Sequence, residues 1–191
     1  DGCYDPSDFN DGLLLGLKGT MAQAELHFIR SRLQGGKLNK AQKGELRFPL
    51  PVGYVFDEAN RIVKDPDEQV CRAIELVFTT FLEAGSAYGV VQRFARDQLL
   101  FPKRSYGGVW AGKLQWGRLT DSRVLGILKN PSYAGVYAFG RYRCVKDILE
   151  DGDVRSRIAC MPREEWLVEI RDHHEGYTSF EQHLKNLDTI E

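Results

Sequence analysis

The sequence predicts an α+β protein: a long N-terminal helix, then a small mixed domain of three or so helices with short β-hairpins, helix-turn-helix-like in character. Three observations carry this. Apolar side chains recur three and four apart over residues 13–43, at Leu14, Leu17, Met21, Ala24 and Phe28, which sets them on one face of a helix. Helix start and stop residues then punctuate the chain at Asp65, Gly85, Ser86, Thr120 and Asn130-Pro131. Around these, short runs of β-branched and aromatic residues are separated by turn-forming residues.

The first helix, read over Leu13 to Lys43 with Asp11 as its N-cap, is longer than a core helix needs, at about 1.5 Å per residue. Its seven-residue repeat suits a seam against a second helix, while Leu26, Ile29 and Leu33 form a second apolar set. Small residues at Ser31 and Gly35 allow close backbone approach before Leu38. From Arg30 the character changes: Arg30, Arg32, Lys37, Lys40, Lys43 and Arg47 stand against one acid, Glu45. One reading is a core helix with a basic exposed end. The other is a dimer helix that delivers its far end to a polyanion.

Residues 44–53 are expected to be an extended arm, because Pro49 and Pro51 forbid helix and bias their predecessors to extended backbone. Tyr54-Val55-Phe56 and Arg61-Ile62-Val63 flank the turn Asp57–Asn60, a short hairpin. Asp65 is read as the cap of a helix with Pro66 at its first position, running to Glu83 and stopped by Gly85. Ser86 caps another, with Val90, Val91 and Phe94 buried. Tyr106 to Leu114 reads as an irregular loop carrying Trp110, and Thr120 caps a third helix ending at Lys129. A strand is expected over Tyr133 to Tyr142, a hairpin tip over Cys144 to Arg155, and strands over Ile158–Met161 and Trp166–Ile170. Tyr177 to Leu187 reads as a last helix capped by Ser179. The three tryptophans, Trp110, Trp116 and Trp166, read as packing residues, and His173-His174 as a solvated turn rather than a metal site.

Composition narrows the function. Charged residues at 28% and hydrophobic residues at 42% describe a soluble protein. No apolar run approaches the roughly 20 residues of a membrane span and no signal peptide opens the sequence, so no membrane partner and a cytoplasmic location are expected. Cys3, Cys71, Cys144 and Cys160 form no CxxC pair, so neither a structural zinc site nor a disulfide framework is expected, and no metal or cofactor. Cys144 and Cys160 either pair as strand neighbours or remain free thiols. Net charge is −1, yet two basic stretches, 30–47 and 101–146, hold 15 of the 26 lysines and arginines and 2 of the 27 acids. Such segregation fits a basic face turned to DNA and an acidic outside.

Ala22-Gln23-Ala24-Glu25, Ile29, Arg32 and Gly36 resemble the long dimerisation helix that ends the catalytic domain of serine site-specific recombinases, the resolvase/invertase superfamily. Lys43 to Pro49 resembles the arm that leaves that helix. Asp65-Pro66-Asp67-Glu68, Gly85-Ser86-Ala87 and Leu128-x-Asn130-Pro131-x-Tyr133-x-Gly135 resemble the "recombinase" domain of the large serine recombinases. A departure is Leu26, where many resolvases carry arginine after the glutamate.

The resemblance implies four segments: 1–43, the end and long helix of the catalytic domain; 44–53, the arm; 54–175, the DNA-binding domain; and 176–191, a helix leading to a zinc-ribbon region. It implies zinc only in that last region, which the sequence does not contain. It implies double-stranded DNA as partner, and self-association through Leu14, Leu17, Met21, Ala24 and Phe28 as a dimer, with a tetramer in the parent synaptic complex. The family's chemistry is attack of a serine hydroxyl on a phosphodiester, giving a 5′-phosphoserine link, with arginines neutralising the phosphate. No serine here stands in the Tyr-x-Arg-x-Ser pattern that the resemblance implies for that nucleophile, so the sequence holds no catalytic residue and is not expected to cut DNA by itself. Glu25 matches a position near the parent active site and dimer contact. Arg30 and Arg32, with Lys37, Lys40 and Lys43, are candidate phosphate contacts, and Arg47 the candidate minor-groove contact. The helix from Thr120 is the candidate recognition helix, with Ser122 and Arg123 near its start. Arg118, Lys129, Arg141 and Arg143 are candidate phosphate contacts. The alternatives are a non-catalytic dimeric regulator or transposase accessory protein, and a coiled-coil scaffold without a DNA role.

Overall fold

The computed structural model describes residue 5 and residues 8–105, 112–148 and 153–190. The chain forms two units, Asp1–Leu46 and Arg47–Glu191. The first is one helix, α1, over Phe9–Gln42. Its cap is Asp8, whose carboxylate accepts from the backbone N–H groups of Asn10 and Asp11 at 2.8 and 3.2 Å. The expected cap Asp11 lies inside the first turn, where its carboxylate instead accepts from the Asp5 backbone N–H. At the far end Gly44 takes a left-handed φ of 72°, Gly44 N–H bonds to Ala41 O and Glu45 N–H to Lys40 O, a closed C-terminal motif that glycine permits. Leu14, Leu17, Met21, Leu26, Phe28, Ile29 and Leu33 are each between 47% and 63% exposed.

The second unit opens with the hairpin β1 (Tyr54–Phe56) and β2 (Ile62–Lys64), paired antiparallel. Helix α2 spans Glu68–Ala84 and α3 Ala87–Arg96. Then come β3 (Phe101–Arg104) paired with β4 (Leu114–Gly117), and α4 over Asp121–Leu128. A 3-10 turn over Pro131–Ala134 leads to β5 (Tyr137–Phe139), and β6 (Tyr142–Ile148) pairs with β7 (Val154–Cys160). Strand β8 (Val168–Ile170) returns to β5, and α5 spans Phe180–Ile190. Every sheet among the described residues is a two-stranded antiparallel pair, so no sheet forms a core layer of its own. The core comes from helix faces: Val70, Ile74, Val77, Phe78 and Phe81 of α2, Val90 and Phe94 of α3, Val124, Ile127 and Leu128 of α4, with Tyr54, Tyr133 and Tyr137. No single helix among the described residues is long and apolar enough to cross a membrane.

Several local expectations change. Asp67, not Asp65, caps α2, accepting from Gln69 N–H at 2.9 Å, so Pro66 precedes the helix. Asp65 is buried and takes Arg104 Nη2 at 2.5 Å, so its carboxylate joins β3 to the start of α2. Val91 is half-buried where burial was expected. The hairpin β3–β4 is not among the expected elements, because Pro102 and the flanking glycines mask its alternation; Tyr106 to Ala111, with Trp110, lie outside the described residues. The strand expected over 133–142 is a 3-10 turn and two separate strands, broken where Gly135 and Gly140 take φ of 73° and 85°. Trp166 precedes β8, and the last helix starts at Phe180, three residues after Tyr177. The β6–β7 pairing is longer than expected, leaving a shorter tip, of which residues 149–152 lie outside the described residues.

Candidate nucleic-acid interface

In the first unit, Arg30, Arg32, Lys37, Lys40 and Lys43 are all exposed, and none joins a salt bridge among the described residues. Glu25 is exposed on the same helix. Unpaired, hydrated cations in a row are what a polyanion exchanges for its counterions.

In the second unit the root of the arm is pinned. Leu50 and Val52 are buried, and Phe48 packs on Tyr137 with ring centroids 5.3 Å apart. The Tyr133 hydroxyl donates to Val52 O at 2.8 Å and the Tyr177 hydroxyl to Gly53 O at 2.7 Å. Gly53 itself has φ +95°, and a Cβ there would meet Ile74 Cδ1 at 2.1 Å, so only glycine fits. The extended stretch therefore leaves the body at one defined place. Arg47 sits just outside it, exposed, with its guanidinium 4.5 Å from the centre of the Phe56 ring.

The Asn130-Pro131-x-Tyr133-x-Gly135 pattern acquires a physical meaning in this setting. Asn130 Oδ1 accepts from Ser132 N–H at 3.2 Å and from Arg141 Nη1 at 2.9 Å, Pro131 opens the 3-10 turn, and that turn aims Tyr133 at the arm. Arg141 also donates to Lys129 O and lies over the Tyr142 and Trp166 rings; burial pulls its guanidinium pKa down. Its charge works inside the fold, at the C-terminal end of α4. Arg123 is half-buried, with Nη2 donating to Pro102 O at 3.2 Å and its guanidinium 5.5 Å from the Phe101 ring. By contrast Arg118, Ser122 and Lys129 are exposed, and Arg143 is exposed with Glu165 3.9 Å away. Outside the expected residues, α3 presents Tyr88, Gln92, Arg93 and Arg96 to solvent. The sequence signal for these was the polar face opposite Val90 and Phe94.

The paired histidines are not a solvated turn. His174 Nε2 donates to Ser132 O at 2.8 Å and its ring meets Tyr54 edge-on, while His173 packs on Tyr137. Burial lowers the His174 pKa. His183, on α5, is likewise buried and pushed down, with Arg141 and Arg163 adding to the effect. Burial raises the Tyr54 and Tyr177 hydroxyls far above the phenolic range. Cys144 and Cys160 are exposed free thiols whose register partners are Ile158 and Tyr142, so the two are diagonal rather than opposite. The described residues contain no cluster of His, Cys, Asp and Glu suited to a metal ion. Trp116 is partly exposed beside Leu76 and Phe94, and half-buried Trp166 donates Nε1 to Met161 O.

Three comparisons with known proteins bear on this geometry. A family model described as Recombinase matches residues 68–191. An uncharacterized protein of Sinorhizobium fredii, y4bA/y4pH, is 47% identical over 191 residues, which is all of this chain and 27% of that protein. The chain thus spans about a quarter of the length of the curated relative it matches. A crystal structure described as an LSR–DNA complex is similar in fold, with a TM-score of 0.50 at 16% identity, over 83% of this chain and 37% of the other.

Proposed function

Because the chain belongs to the Recombinase family, we propose that it is the DNA-binding and self-associating portion of a serine site-specific recombinase that rearranges mobile DNA. The observation that carries this is the run of exposed cations Arg30, Arg32, Lys37, Lys40 and Lys43 in the first unit, followed along the chain by an arm whose root is pinned by the hydroxyls of buried Tyr133 and half-buried Tyr177. Cations along Arg30, Arg32, Lys37, Lys40 and Lys43 neutralise phosphates, and Arg47 enters the minor groove. Arg118, Lys129 and Arg143 add phosphate contacts from the second unit. The exposed stripe Leu14, Leu17, Met21, Ala24 and Phe28 pairs with a second copy, burying surface too apolar to stay wet. Strand breakage by a serine nucleophile, through a 5′-phosphoserine link, belongs to the longer parent protein, in whose synaptic complex such dimers form tetramers.

The test is a titration of the purified chain onto fluorescent duplex DNA at several salt concentrations, first of random sequence and then of fragments flanking its own gene. Binding that weakens steeply with salt and is tighter on the flanking fragments is the expected result. Absence of binding at low salt overturns the proposal.

A further inference from the structure

Helices α2 and α3 are joined by Gly85 and Ser86 alone, and their axes turn through 118°. Gly85 makes the turn at φ +64°, and Ser86 Oγ accepts from Gly89 N–H at 3.1 Å to start α3. The two helices come so close that a Cβ on Gly89 would lie 2.7 Å from Ala84 Cβ. A helix pair at about 90–120°, joined by a short glycine-containing turn, is the arrangement in which the second helix lies in the major groove of DNA. Here the second helix is α3. Its buried side, Val90 and Phe94, packs into the core.

Exposed on α3 are Tyr88, Gln92, Arg93 and Arg96, of residue types whose polar groups match base edges. Gln92 donates one amide N–H to the Tyr88 hydroxyl at 2.5 Å and keeps its second N–H and its carbonyl, the donor–acceptor pair that adenine takes. Asp97 holds Arg93 Nε at 2.5 Å and Arg96 Nε at 3.0 Å, leaving both terminal guanidinium forks unpaired among the described residues. Two arginines oriented from behind by one carboxylate present the fork that guanine O6 and N7 accept. A groove of about 350 Å³ between Thr80 and Glu83 of α2 and Gln92, Arg93 and Arg96 of α3 opens on this side. Helix α4 offers less: Arg123 is tied to Pro102 O, and its exposed positions are Asp121, Ser122, Gly126 and Lys129.

We propose that α3, rather than α4, is the helix that enters the major groove, with Gln92, Arg93 and Arg96 reading bases and Tyr88 fixing Gln92. This rests on the reading of the chain as a duplex-DNA binder.

The test selects preferred duplexes from a randomised pool with the wild-type chain and with Gln92→Ala, Arg96→Ala and Ser122→Ala. Non-specific affinity and salt slope are measured in parallel on one random duplex, and thermal unfolding confirms that each exposed-site variant is folded. Gln92→Ala and Arg96→Ala are expected to flatten the preference at discrete base positions by about ten-fold or more, while binding of random duplex changes less than three-fold. Ser122→Ala should keep the wild-type preference. Variants of α3 that select the wild-type site, or loss of preference in Ser122→Ala alone, overturn the assignment of α3 and leave DNA binding intact. A wild-type chain that binds no duplex overturns the DNA-binding reading, and this assignment with it.

Discussion

Replacing Tyr133 by phenylalanine removes one oxygen atom and little else, because the ring stays packed against Tyr54, Phe78 and Tyr177 at 5.8, 5.8 and 5.9 Å between centroids. What is lost is the 2.8 Å bond to the Val52 carbonyl. Tyr133 and Val52 are 2% and 6% exposed, so water cannot replace the donor without opening the core. A buried acceptor left without its partner costs about 1–3 kcal/mol, and about 1.5 kcal/mol, in the lower half of that range, suits a neutral carbonyl. A domain of this size shifts its Tm by about 2–4 °C per kcal/mol, so Tyr133→Phe should melt about 3–6 °C lower. Circular dichroism melts and urea unfolding measure this, and the urea midpoint should fall with an unchanged slope. A Tm within 1 °C of wild type would refute the claim that this hydroxyl anchors the arm.

Further outcomes follow from the same structure. Arg47→Ala should weaken binding to specific and random duplex alike and reduce the logarithmic salt slope by about one, as measured by anisotropy titration. Arg104→Ala leaves the buried Asp65 carboxylate unpaired and should cost about 3 kcal/mol by urea unfolding, with part of the loss recovered by adding Asp65→Asn. His174 and His183 have folded pKa values below the ordinary 6.5, so the unfolded chain binds more protons below that pH. Their contribution is intact above pH 6.5 and lost as the pH falls below it; Tm should therefore drop between pH 7.5 and 5.5, and less so in His183→Gln. Met21→Glu combined with Phe28→Glu should convert a self-associated chain to a monomer in light scattering.

How much of this was legible depended on the range of the interactions. The long helix, its basic back half, the Ser86 and Ser179 caps and the first hairpin rest on contacts within a few residues, and pattern reading found them. Asp65 and Asp67 show where such reading stops: both are good caps, and Arg104, 39 residues away, draws Asp65 into the core and leaves the cap to Asp67. His173 and His174 looked like a charged turn because nothing local reveals that Tyr54, Tyr137 and the Ser132 carbonyl surround them. The basic stretch over 101–146 was visible as charge, but not that Arg123 and Arg141 bond to backbone and side-chain oxygens of the fold while α3, outside that stretch, presents its own arginines.

The sequence by itself determined the periodicities, the Ser86 and Ser179 caps, the segregation of charge and the turn residues, because each is a property of neighbours along the chain. Only the tertiary structure decided which cations remain free for an anion and which hold the protein together. That choice depends on which carbonyls and carboxylates fold back within reach of a guanidinium, and on the cost of burying a charge without them. The same holds for the arm: its prolines make it extended, but Tyr133 and Tyr177, 81 and 124 residues beyond their acceptors, set where it leaves the body.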